Sequence, residues 1–77
     1  MNDDRRKRIR EKVISLIAES RCRLEEIAEE ENTAVEGLPD NLRESDRGER
    51  MAEIAYMLDE TVTILEEAES TLYECIE

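Results

Sequence analysis

Carboxylates, two thiols and two phenols are the first side chains of this chain to consider for chemistry. It holds 22 Asp and Glu residues, two cysteines (Cys22, Cys75), two tyrosines (Tyr56, Tyr73), and neither His nor Trp. Histidine-based triads and histidine-based metal sites are closed off by composition. Two glycines in the whole sequence do not make a phosphate-cradling loop. Two thiols far apart in sequence make neither a zinc site nor a disulfide framework, and both read as small apolar fillers. Paired carboxylates work as acid and base only where a pocket raises one pKa. A 77-residue chain read as two helices offers no such pocket. No catalytic, cofactor-binding or metal-binding residue is therefore assigned, and the expected mode of action is binding a partner.

The most informative carboxylates are Glu53, Asp59, Glu60, Glu66, Glu67 and Glu74. In a heptad reading they fall at two adjoining positions of one helix, with pairs recurring about every 10.5 Å. Such a line could enter a basic groove that otherwise holds nucleic acid. It carries about one charge per 5 Å, against one per roughly 1.7 Å in duplex DNA. The plainer reading is a solvated face that keeps a small protein soluble. The partner-binding candidates are Glu60, Glu66, Glu67 and Glu74, with Tyr56 and Tyr73 as aromatic anchors, since Tyr is enriched at interface hot spots.

Two elements must position these residues. From about 4 to 35, Val13, Ile17, Ser20, Leu24, Ile27, Glu31 and Ala34 alternate steps of four and three, and Ile9, Ile14, Leu16, Ala28 and Val35 widen the stripe. From about 45 to 76 the series Met51, Ile54, Leu58, Thr61, Leu65, Ala68, Leu72 and Cys75 carries no charge. The connection, 36–44, holds the only proline. Gly37 is expected to close the first helix in the left-handed conformation, and Pro39 to stop it, leaving room for one helical turn over 39–42. Ser45 is the expected N-cap of the second helix, with Asp46 and Glu49 at the positive end of its dipole.

The predicted fold is all-α, a single domain over 1–77: an antiparallel two-helix hairpin that dimerises into a four-helix bundle. Below roughly 70–80 residues a core rarely sustains itself, and both apolar stripes exceed what one neighbour covers. Ile17, Leu24, Ile54, Leu58, Leu65 and Leu72 are the expected core and dimer residues. Net charge is −11 but uneven. Residues 1–24 hold eight basic and four acidic residues, and 25–77 hold three basic and eighteen acidic ones. In an antiparallel pair Arg5, Arg6, Lys7 and Arg8 would lie beside Glu66, Glu67, Glu69, Glu74 and Glu77, and Arg43, Arg47 and Arg50 beside Glu25, Glu26, Glu29 and Glu30. The overall charge argues against direct nucleic-acid binding. No apolar run spans a bilayer and none resembles a signal peptide, so the expected location is the cytoplasm, away from membranes.

The stretch Leu38-Pro39-Asp40-Asn41-Leu42-Arg43-Glu44-Ser45-Asp46-Arg47-Gly48-Glu49-Arg50-Met51 resembles a segment of small acidic helical proteins of phages and mobile elements of Gram-positive bacteria, "LP-x-x-L-x-x-S-x-x-G-x-x-M" before a Glu-rich helix. The resemblance covers about 24–77. It implies no chemistry. It implies a setting in which such proteins serve as anti-defence factors, including anti-CRISPRs: inhibitors that bind a host protein, here a basic nucleic-acid-binding effector. The alternative is a structural or adaptor hairpin in a phage or mobile-element assembly.

Overall fold

The computed structural model describes residues 1–77 and is helical throughout, with no strand. It is an elongated molecule measuring 58 × 15 × 13 Å. Helix α1 (Asp3–Arg8) runs without interruption into a π-helical segment (Ile9–Ile14) and then into α2 (Ser15–Glu36). A single-turn helix α3 (Asp40–Arg43) precedes the long α4 (Asp46–Cys75). No helix is long and apolar enough to cross a membrane.

The ends of these elements follow from their sequences. Asn2 caps α1 by accepting from the Arg5 amide at 2.8 Å, and Asp3 and Asp4 occupy the first turn. Pro39 is the N-cap of α3, its carbonyl accepting from the Leu42 and Arg43 amides at 2.9 and 3.0 Å while its missing N–H costs nothing, and α3 lies where a single turn is expected. Ser45 caps α4, its hydroxyl accepting from the Gly48 amide at 3.1 Å. Gly37 departs from expectation: its φ of −79° and ψ of −5° are right-handed, and no residue of the chain has positive φ. The end of α2 is satisfied differently, because the Arg43 guanidinium donates to the Glu36 carbonyl. A cation on the Glu36 carbonyl, with the Gly37 and Leu38 amides on the Thr33 and Val35 carbonyls at 3.0 and 3.1 Å, replaces the left-handed cap.

Helices α2 and α4 lie side by side. Arg21 meets Glu69 and Asn32 meets Asp59, so residue numbers rise along one helix as they fall along the other. The line that α2 turns inward is Ile17, Arg21, Leu24, Ala28, Glu31 and Val35, continued by Ile14. On α4 it is Gly48, Met51, Ala55, Leu58, Val62, Leu65, Glu69, Leu72 and Ile76. This corrects the expected seam at every second position. Val13, Ser20, Ile27 and Ala34 are exposed, and their successors Ile14, Arg21, Ala28 and Val35 face inward.

Three causes combine. Ala28 and Ala55 are 2% and 3% exposed, and such small side chains let the helices approach closely. Arg21 and Glu69 satisfy one another, so a charged pair enters a seam that hydrophobicity alone would deny it. Finally, the wider turn of the π-helical segment sets the angle at which Ile14, the first buried residue of the seam, turns inward.

The expected core residues Ile17, Leu24, Ile54, Leu58, Leu65 and Leu72 are all half-buried. Only five residues are buried, and no large side chain is fully enclosed. A single seam between two helices shields one side of each side chain and no more.

Candidate functional site

The two faces of the helix pair differ in chemistry, and the Asn32–Asp59 contact tells them apart. Asn32 follows the inward residue Glu31, and Asp59 follows the inward residue Leu58. Their hydrogen bonds, 3.2 Å from the Asn32 amide to each Asp59 oxygen, show that residues following the inward line meet on one face. Glu25 and Glu66 follow inward residues in the same way, as do Ala18 and Tyr73. This face is an open groove lined by Glu25, Glu29, Asn32 and Asp59 toward one end and by Arg21, Glu66, Glu69 and Tyr73 toward the other.

Arg21 is the one cation lining this groove. It donates to Glu69 at 2.5 Å and to Glu25 at 2.9 Å, crossing from α2 to α4. Hydrogen bonding to Glu69 first, then to Glu25, holds the guanidinium firmly protonated, with its pKa raised. Glu69 is the most enclosed carboxylate in an ion pair, its side chain 14% exposed. The pair ties α2 to the C-terminal part of α4 and, with Asn32–Asp59, sets their register.

The remaining ion pairs are local: Arg6–Asp3, Arg8–Asp4, Arg23–Glu19 and Arg50–Glu53 each span three or four residues of one helix. The expected pairing of the basic segment 5–8 with the end of α4 is not formed, nor is that of Arg43, Arg47 and Arg50 with Glu25, Glu26, Glu29 and Glu30. The register set by Arg21–Glu69 and Asn32–Asp59 brings the end of α4 level with Ile14 and leaves residues 5–8 beyond it, and it sets Glu25, Glu26, Glu29 and Glu30 several turns from the arginines near the connection, so Arg6, Arg8 and Arg50 pair with acids of their own helix instead.

The six sequence-derived binding candidates are all exposed. They do not share one line. Glu60, Glu67 and Glu74, with Glu53, recur every seven residues along the outer back of α4. Glu66 and Tyr73 belong to the groove, and Tyr56 lies between the two. None of Glu60, Glu66, Glu67 or Glu74 is in a salt bridge. Glu60, one helical turn on, raises the Tyr56 phenol's pKa, its carboxylate favouring the protonated hydroxyl. Chemically the surface can accept hydrogen bonds and attract cations. No three His, Cys, Asp or Glu side chains converge in a way that would hold a metal ion.

Sequence reasoning missed Arg21 and Gly48. Arg21 carried no signal, because it sits where a serine-containing apolar line was read one position away. The signal for Gly48 was the spacing Leu38-Pro39-x-x-Leu42-x-x-Ser45-x-x-Gly48. Gly48 is buried beneath α3, and a methyl group there would lie 2.0 Å from the Leu42 carbonyl and 2.8 Å from Arg43. Leu42 in turn accepts from the Ser45 amide at 3.2 Å and from its hydroxyl at 2.5 Å. The motif thus builds a tight corner that turns the chain into α4.

No known protein family, curated protein or solved structure matches the chain.

Proposed function

We propose that this chain is a non-catalytic binding protein, a helical hairpin that pairs with a second copy as a four-helix bundle and offers an acidic surface to a basic partner. The observation that carries this reading is the set of exposed α4 carboxylates, Glu60, Glu66, Glu67 and Glu74, which have no intramolecular cation. Held on a 30-residue helix, they are ordered before binding and lose little entropy when a partner's lysines and arginines engage them. Tyr56 and Tyr73 lie among them with exposed rings. The partner class that fits is a host protein with a basic, nucleic-acid-binding surface, and the setting is a phage or mobile element acting in a bacterial cytoplasm. Charge reversal of Glu66 and Glu67 to lysine abolishes retention of that partner while helicity by circular dichroism stays unchanged. Full retention by the double variant overturns the proposal.

A second reading, a structural adaptor in a phage or mobile-element assembly, is favoured by the other face of the helix pair, where Val13, Leu16, Ile27, Met57 and Ile64 are exposed. An adaptor working through that face keeps its partner at high salt, whereas the acidic surface does not.

A further inference from the structure

The face opposite the Asn32–Asp59 groove has an uncharged central line, apolar except at Ser20 and Thr61. On α2 and the segment before it, Val13, Ser20, Ile27 and Ala34 recur every seven residues just before the inward line. On α4, Ile54, Thr61, Ala68 and Cys75 do the same. Because residues following the inward line meet across the groove, residues preceding it come together on the opposite face. Leu16, Met57 and Ile64 widen this strip, and all three are exposed. None of the eight heptad positions is charged, in a chain that is 43% charged. Arg47, which precedes Gly48, continues the α4 series with a charge at the end nearest the turn.

We infer that this face, and not the inward seam, is covered by a second copy of the chain; this rests on the dimer proposed above and gives it a surface. Charge favours a second copy over a membrane or a basic partner. The central line of the strip is uncharged and its charged edges, Arg23, Glu30 and Arg50, carry both signs, whereas the groove and the back of α4 are acidic, so stacking two strips leaves the acidic surfaces outward. Size agrees. The strip runs over 21 residue steps on each helix, about 32 Å, and the helix pair is 15 Å wide. That projects to about 500 Å² per copy, so two copies bury on the order of 1,000 Å², the lower bound for a specific interface. Need agrees as well, since five buried residues leave the single chain without an enclosed core. Stacking turns the uncovered half of each apolar stripe into the interior of a four-helix bundle, with Ile27 and Ile64 near its middle.

The two thiols provide the test, since both are exposed in the single chain. Cys75 lies on the strip, and Cys22 lies one position beyond Arg21, on the groove side. Wild-type protein is alkylated with iodoacetamide across a concentration series, each cysteine is followed by peptide mass spectrometry, and mass is read by light scattering. Cys75 is expected to become protected as the dimer forms, with at least a tenfold fall in rate, while Cys22 reacts equally throughout. The Ile27→Glu/Ile64→Glu variant is expected to be monomeric with Cys75 reactive at every concentration. Should that variant unfold, the wild-type protection pattern still decides. A wild-type protein of monomer mass at high concentration overturns the dimer itself. A dimer in which Cys75 reacts as freely as Cys22, or one that the double variant leaves intact, overturns the face while leaving the dimer standing.

Discussion

Gly48→Ala is expected to destabilise the protein, although alanine is the better helix former. A glycine inside an exposed helix costs roughly 0.5–1 kcal/mol relative to alanine, so without tertiary contact the substitution would stabilise α4. Here the new methyl would stand 2.0 Å from the Leu42 carbonyl, which must retreat by about 1.4 Å to reach an ordinary 3.4 Å contact. The obstacle is backbone, not a side chain that can swing away. Overpacking of this kind costs about 1–3 kcal/mol. Leu42 also accepts from Ser45, the α4 cap, so its displacement puts at risk a further ~1 kcal/mol of capping. After subtracting the propensity gain, the net loss is about 2 kcal/mol. At about 4–8 °C per kcal/mol for a domain of this size, the melting temperature falls by about 8–16 °C. Thermal denaturation followed by circular dichroism, at one fixed protein concentration, reads this directly. Gly37→Ala is the control: its methyl would meet only the Thr33 carbonyl at 3.4 Å and the Ala34 carbonyl at 3.7 Å, and its φ already suits alanine. It should stabilise by about 0.4–1 kcal/mol. A rise in melting temperature for both glycine variants would refute the α3–α4 corner.

Other consequences are testable in the same way. Arg21→Leu lowers the melting temperature by leaving Glu69 enclosed without its cation, and adding Glu69→Leu restores it to the wild-type value or above; a double-mutant cycle without coupling would show that the pair does not tie the helices. Leu58→Asp with Leu65→Asp places two carboxylates in the inward seam and should unfold the chain, so retained far-ultraviolet helicity would contradict the assigned seam. Glu60→Gln lowers the alkaline titration midpoint of Tyr56, followed by phenolate absorbance in a Tyr73→Phe background. The sign follows from the raised phenol pKa: the favourable contact of the protonated hydroxyl with Glu60 is present below the ordinary phenol range and is lost as pH rises through the raised value. An unmoved midpoint would remove that contact.

Helix positions were legible because their signals are local. The expected bounds of 4–35 and 45–76 compare with a helical run of Asp3–Glu36, interrupted only in type, and with Asp46–Cys75. Ser45 and Pro39 announced their roles by chemistry that needs no neighbours. Which half of a wide apolar stripe turns inward is a different question, because Val13 and Ile14 differ little as hydrophobes and sit on adjacent positions. The choice is made by Ala28 and Ala55, whose small size permits close approach, and by Arg21–Glu69, a pair invisible until the helices are laid together. Gly37 misled for a related reason. Its left-handed option went unused once Arg43 supplied the donor for the end of α2. Of the candidate surface, the exposure of the α4 carboxylates followed from heptad position. Their division between groove and back did not, since it depends on where the second helix lies.

The exposed carboxylates of α4 are proposed to attract a basic partner. The most direct measurement is the salt dependence of what the immobilised wild-type protein retains from an extract of its native host cells. Raising ionic strength from 0.1 M to 1 M shortens the Debye length from about 10 Å to about 3 Å. The account predicts a protein retained at low salt, released well before 1 M, and not retained by the Glu66→Lys/Glu67→Lys variant. A protein held unchanged through 1 M salt, by wild type and variant alike, would contradict it.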